Sequence, residues 1–261
     1  MKIRSSLRVL LTGATIVALG IATPRVQAQL TFDNFDDGDD TTGVTWTHIT
    51  GEANSTGQTW TFPGANTYRL QAPNNGLSGY GFVGSVAPTV YSAAITMADF
   101  VSFGGPGANP VFGIGARLNG GATPVSLTGY AYVYEPFAAS LAGEMVLYRI
   151  DPGGLGTDIG SQQVSLDPLK DYRFELEIQG STLHGKVYEI GGGLVGEKIA
   201  TDAAYATGMS GVFGFGNSGL TPPTDFTIDN FAVVPEPSVV ALVGLGLVGL
   251  LAARRILGER A

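Results

Sequence analysis

Glu175 and Glu177 are the carboxylates whose spacing most invites chemistry. Side chains two apart on a strand share a face at about 6.5 Å, within the range that paired acid/base carboxylates use in glycoside hydrolysis. Gln179, the next residue on that face, is an amide and cannot cycle a proton at neutral pH. Charged residues alternating on a solvated strand face are also the ordinary appearance of an exported β-protein. A second cluster is Asp33, Asp36, Asp37, Asp39 and Asp40, with Gly38 permitting a tight turn. Oxygen ligands this close suit a hard cation such as calcium. Phe35 falls where an EF-hand loop needs a ligand, and a solvated acidic turn is the plain alternative. His48 and His184 are the only histidines and there is no cysteine. Thiolate metal sites, disulfides and thiol nucleophiles are therefore excluded, and two scattered imidazoles, read as surface residues, make a poor zinc or triad case.

The elements that must position these residues are strands. The run Tyr172-Arg173-Phe174-Glu175-Leu176-Glu177-Ile178-Gln179 puts Tyr172, Phe174, Leu176 and Ile178 on one face and the polar residues on the other. Gly180-Ser181 then reads as a two-residue hairpin turn into Thr182–Tyr188. Between residues 29 and 234 such segments recur every 8–15 residues or so, separated by Gly/Asn/Asp/Pro clusters, which is the pattern of an all-β sandwich or barrel. One echo ties the ends of this region together: Thr31-Phe32-Asp33-Asn34-Phe35 opens it and Thr227-Ile228-Asp229-Asn230-Phe231 closes it. The expectation is two end strands side by side in one sheet, each with a bulge or turn near its Asn. Asp33 and Asp229 would then be candidate ligands, with backbone carbonyls, of a structural calcium. The aromatics Trp46, Trp60, Tyr80, Tyr91, Tyr130, Tyr132 and Tyr134 could stack on sugar rings, although at least half should be core.

The two ends are different in kind. Residues 1–28 have a basic start (Lys2, Arg4, Arg8), an apolar stretch from Val9 to Ala22, and Val26-Gln27-Ala28. This is a secretory signal peptide with cleavage after Ala28. Residues 235–261 begin Pro235-Glu236-Pro237-Ser238, continue with the apolar run Val239–Ala253 and end in Arg254-Arg255 and a short tail. As a helix the run rises only ~22 Å, short of a ~30 Å hydrocarbon core. A thin or strained span would place the arginines in the cytoplasm and everything before Pro235 outside.

That terminal arrangement closely resembles the PEP-CTERM sorting domain of Gram-negative bacteria. The residues that carry the likeness are Pro235-Glu236-Pro237, the span with Gly244-Leu245-Gly246-Leu247, and the basic pair Arg254-Arg255. The resemblance implies export through an inner-membrane intermediate, then recognition and cleavage near the triplet by an exosortase. It also implies a final address at the cell surface or in an exopolysaccharide or biofilm matrix.

The middle, residues 29–234, resembles the concanavalin A-like lectin/glucanase superfamily in its laminin-G-like branch. The likeness rests on Tyr172–Gly180, Leu183-His184-Gly185-Lys186-Val187, Gly211-Val212-Phe213 and Asp229-Asn230-Phe231. It implies an antiparallel two-sheet jelly-roll sandwich. Glucanases of this superfamily carry three alternating acids on one strand, and here the third position is Gln179. The expectation is accordingly a non-enzymatic exported protein with a glycan-binding or adhesive role. Two alternatives stay open: a glycan-active hydrolase using Glu175 and Glu177, and a structural β-domain without ligand. Residues 29–238 hold 7 Lys/Arg and 21 Asp/Glu, a balance of −14. Nucleic acid is excluded as a partner by that charge, and extracellular polysaccharide is favoured if it is neutral or bridged by divalent cations.

Overall fold

Strand periodicity explains the architecture of the computed structural model, which describes residues 31–49, 58–64, 66–72, 80–91, 93–103, 111–120, 126–136, 142–153, 156–217 and 224–235. The expected signal peptide, including Ala28, and the sorting segment from Glu236 onward lie outside these residues. Among the described residues no helix is long and apolar enough to cross a membrane.

Two antiparallel sheets face each other. Sheet A contains β1 (Thr31–Asp33), β3 (Thr59–Thr61), β4 (Tyr68–Ala72), β6 (Ala93–Phe103), β11 (Tyr172–Gln179), β12 (Thr182–Glu189), β13 (Leu194–Thr201) and β15 (Thr224–Pro235). Its order is β13-β12-β11-β6-β15-β4-β3, with β1 also pairing β15. Sheet B contains β2 (Thr47–Ile49), β5 (Tyr80–Tyr91), β7 (Val111–Asn119), β8 (Thr128–Pro136), β9 (Ala142–Ile150), β10 (Gly156–Ser165) and β14 (Gly208–Asn217), in the order β10-β9-β8-β7-β14-β5-β2. The expected all-β sandwich is the one observed. Strand β13 is an edge strand whose apolar Leu194, Val195 and Ile199 are exposed, so no apolar face marks it in the sequence.

Alternation on β11 is as expected: Tyr172, Phe174, Leu176 and Ile178 are buried, and Arg173, Glu175 and Glu177 face outward. Gly180 adopts φ 59° in the turn that sets Gln179 opposite Thr182. The inward faces of both sheets form one core rich in aromatic rings, among them Phe100, Phe112, Tyr132, Phe174 and Phe226. Phe112 and Phe174 stack across the sandwich at 5.5 Å between centroids.

The repeated end motif folds as two local devices. Residues of β1 pair with β15, Thr31 opposite Val233 and Asp33 opposite Phe231. Asp33 then accepts the Phe35 N–H at 2.9 Å, which stabilises Phe35 at φ 54° and swings its ring fully into the core. Phe32, by contrast, is 53 % exposed. On β15, Asp229 and Asn230 together oppose the single residue Asp99 of β6, a bulge that lets Ile228 and Phe231 both point inward. The terminal strands are therefore side by side, and each carries its irregularity where the phenylalanine spacing requires one.

Sheet B has a second apolar side. The register aligns Ile49, Gly84, Phe213, Gly113, Val133 and Val146 in one row across six strands, facing away from the core. Ile49, Phe213, Val133 and Val146 form a separate hydrophobic cluster with Val86, Leu118, Leu127, Ala131 and Ile150.

Candidate functional site

The outward face of β11 and β12 carries the predicted carboxylates. Arg173 lies opposite Asp99 of β6 and is held by two hydrogen bonds to its carboxylate, at 2.6 and 2.8 Å. Asp99 also accepts from Asn230 Nδ2 at 3.2 Å, so the β15 bulge and the Arg173 side chain are fixed to one anchor. On its other side Arg173 lies in register with Tyr188 of β12. Together Arg173, Glu175, Tyr188, Glu189, Ile190 and Gly191 line an open hollow of about 300 Å³. Lys170 bridges to Glu189 at 2.9 Å on its rim.

Glu177 is not free to act as an acid. Lys186 Nζ donates to it at 2.9 Å and Gln179 Nε2 donates at 2.9 Å. The lysine bond, more than any other contact, holds the carboxyl below its usual range. Glu175 lies across from Lys186 and Met97 and opens into the hollow with the tyrosine. The arrangement thus offers a positioned guanidinium, a phenol ring and an acceptor carboxylate. Those groups suit hydrogen bonding to hydroxyls and stacking against an apolar ring face.

Asp33 and Asp229 do not converge. The Asp33 carboxylate is buried and turned inward, where Trp46 Nε1 donates to its second oxygen at 2.7 Å. Burial, partly offset by those bonds, pushes its carboxyl up, and the charges it feels are Asp37 and Asp39. Asp229 is likewise raised, by burial and then by Asp99, Asp36 and Asp171. Among the described residues no group of three or more His, Cys, Asp or Glu is arranged to hold a metal ion. The acidic turn instead satisfies itself: Asp39 accepts from the N–H groups of Thr41 and Thr42 and from the Thr42 hydroxyl, which lowers its carboxyl to about 2.

His48 departs from the expected surface imidazole. Its ring stacks on Trp60 at 4.2 Å, and Nε2 lies 2.6 Å from Asp40 and 3.1 Å from the Tyr68 hydroxyl. Tyr68 in turn donates to Ser85 at 3.2 Å. Since Tyr68 belongs to sheet A while His48 and Ser85 belong to sheet B, the network fastens one sheet to the other. Of the aromatics considered for sugar stacking, Trp46, Tyr130, Tyr132 and Tyr134 are buried in the core and Trp60 is half-buried on His48. The side chains of Tyr80 and Tyr91 lie outside the described part. Tyr188, which the sequence reading did not single out, is the ring at the hollow.

Sequence reasoning also passed over Glu135 and Glu144. They sit directly opposite each other on β8 and β9, on the outward side of sheet B. Burial pushes the Glu135 carboxyl up, opposed by a hydrogen bond from Tyr148 and reinforced by Glu144 and Asp158. No spacing within one segment could reveal this pair, because it exists only through the β8–β9 register.

Comparison with known proteins completes the picture. Residues 233–256 match the family described as the PEP-CTERM protein-sorting motif. The chain ends in a PEP-CTERM sorting motif. Its first residues, Val233 to Pro235, are the last of β15, so the motif starts inside the sandwich. No curated protein sequence matches the chain. Among solved structures, a prokaryotic β-1,3-1,4-glucanase (lichenase) derived from a mouse hindgut metagenome superposes with a TM-score of 0.55 at 12% identity, covering 79% of this chain and 99% of its own. The CBM2 module of Lactobacillus casei BL23 phage J-1 evolved Dit gives 0.53 at 12%, covering 80% and 96%. The exoplasmic/lumenal domain of VIP36, in its Ca2+/Man3GlcNAc-bound form, gives 0.51 at 10%, covering 81% and 90%. The likeness to these three structures is one of fold, two facing antiparallel sheets, and the sorting motif follows directly on it.

Proposed function

We propose that this is an exported, non-enzymatic surface or matrix protein, delivered by its signal peptide, cleaved near Pro235-Glu236-Pro237 by an exosortase, and attached to extracellular polysaccharide through its sandwich. The observation that carries the reading is the sorting motif running directly out of the last strand of a concanavalin A-like domain. The names of the fold's neighbours, a glucanase, a carbohydrate module and a glycan-bound luminal domain, support carbohydrate as the ligand class. The hollow around Arg173, Glu175 and Tyr188 has the chemistry to bind a neutral glycan. Lys186 and Gln179 already engage the Glu177 carboxylate, and the next residue on that face is an amide, which supports binding over hydrolysis at this face.

Two experiments test the reading. C-terminal mass spectrometry of the cell-surface form should find chains ending near Pro235–Pro237, and an intact Arg254-Arg255 tail on most molecules overturns processing. On a glycan array the protein should bind neutral glycans and Tyr188→Ala should lose that binding. A flat response from both would favour the ligand-free structural domain.

A second reading has its own observation: Glu135, raised by burial, stands opposite Glu144. Two carboxylates on facing strands, one of them raised by burial, could serve as a glycosidic acid and its partner. If the protein hydrolyses glucan, Glu135→Gln abolishes the activity while Glu175→Gln with Glu177→Gln leaves it.

A further inference from the structure

The outward face of sheet B is a surface that needs a cover. Ile49, Val86, Ala131, Val133, Val146 and Phe213 are each no more than 3 % exposed. Yet every described strand belongs to one of the two sheets, and among the described residues no third layer lies across this face. An apolar sheet face of this size has to be buried against another element.

The course of the chain says which element. Strand β15 ends at Pro235, opposite Ala93 of β6. Only one residue separates Ala93 in sheet A from Tyr91 in sheet B, so the two sheets meet at that corner. Tyr91 pairs with Gly208, and the neighbouring Met209, Leu118, Leu127 and Ile150 are the near end of the apolar face. The chain beyond Pro235 therefore continues from a point beside the surface in question, and Glu236, Pro237 and Ser238 precede the apolar run in sequence.

Length and charge then match. From Thr128 to Glu135 strand β8 extends ~23 Å along the face. The apolar run Val239–Ala253 rises ~22 Å as a helix, and its Gly244, Gly246 and Gly249 allow close approach to a surface containing Gly84, Gly113 and Gly211. A helix entering at the Met209 end brings Arg254 and Arg255 to the far end, where Glu135 and Glu144 stand opposite each other. Among the described residues the groups that influence Glu135 are Tyr148, Glu144 and Asp158, none of them basic.

We propose that residues 239–255 of the unprocessed chain fold back over the outward face of sheet B, with the apolar run on Val133, Val146 and Phe213 and with Arg254 and Arg255 against Glu135 and Glu144. Docking depends only on this chain. Its consequence, that cleavage near Pro235–Pro237 uncovers an apolar face bearing two glutamates, rests on the sorting reading above. The same fifteen residues cannot occupy a membrane and the sheet together, so docking and insertion compete.

The chain has no cysteine, which makes disulfide trapping clean. In the full-length protein, Val133→Cys with Gly249→Cys should form an intramolecular disulfide on mild oxidation roughly tenfold faster than Glu175→Cys with Gly249→Cys, because a docked pair has the higher effective concentration. Ala131→Cys replaces Val133→Cys if the latter fails to fold. Adding Arg254→Glu and Arg255→Glu should slow the trapping. Equal rates for the two faces overturn the proposal, and so does trapping found only between molecules, which would make a second copy the occupant. Because this assay needs no exosortase, its failure leaves the sorting reading intact, and failed processing in cells leaves the docking intact.

Discussion

At the scale of single residues, the strongest constraints come from polar groups forced inside. Asp33 uses both carboxylate oxygens as acceptors, one for Phe35 N–H and one for Trp46 Nε1. Asp33→Asn turns one acceptor into a donor facing a donor, and should cost about 1–3 kcal/mol in urea denaturation at neutral pH despite removing a buried charge. The opposite outcome is expected at Tyr132, whose buried hydroxyl meets no hydrogen-bond partner among the described residues. Tyr132→Phe should be neutral or stabilising by up to about 1 kcal/mol, and a loss of stability would mean that the hydroxyl is satisfied. Acid titration separates Asp33 from Asp39. Asp39, lowered to about 2 by the Thr41 and Thr42 N–H bonds, contributes stability that is present above pH 3.8 and lost as pH falls toward 2. Asp33 is raised, so its protonation favours the folded state, and stability falls as pH rises above 3.8 through its folded pKa. Trp46 fluorescence followed from pH 5 down to 2 should show loosening of the acidic turn below pH 3.8 or so, and Asp39→Ala should remove that limb.

At the scale of elements, packing between sheets leaves no slack where β12 crosses β8. A Cβ on Gly185 would lie 2.4 Å from the Tyr132 ring. Gly185→Ala should therefore destabilise by about 1–3 kcal/mol, and combining it with Tyr132→Leu should cost less than the two changes added. A strictly additive double variant would show that the ring moves aside freely. This contact was invisible in the sequence, where Gly185 is simply one position of an alternating strand. The strand itself was legible, since β11 and β12 bury every second side chain around a two-residue turn. So was the pairing of the ends, because Phe32-Asp33-Asn34-Phe35 and Ile228-Asp229-Asn230-Phe231 each demand an irregularity. What linear spacing could not carry was register. It drew attention to Glu175 and Glu177 on one strand and gave no sign of Glu135 and Glu144, which face each other across two. It also suggested a shared ion for Asp33 and Asp229, which the Phe35 turn and the β15 bulge send to different neighbours.

At the scale of the whole molecule, charge bears on how the proposed attachment would work. Half of the basic residues that moderate the overall balance of −8, seven of fourteen, sit in residues 1–28 and 239–261, and residues 29–238 stand at −14. Within the sandwich the remaining cations are mostly committed: Arg69 to Asp225, Arg149 to Asp151 and Asp202, Lys170 to Glu189, Arg173 to Asp99, and Lys186 to Glu177. An anionic polysaccharide approaching this body meets repulsion on a scale set by the Debye length, ~8 Å at physiological salt, with few uncommitted cations to receive it. Neutral glycans avoid the repulsion, whereas acidic ones need divalent cations to bridge carboxylate to carboxylate. Retention of the processed protein on an acidic exopolysaccharide should thus be released by a chelator and restored by calcium, while retention on a neutral glucan should be indifferent to both. Strong binding to the acidic polymer in chelator, weakening as monovalent salt is raised, would require a basic surface and would overturn this account.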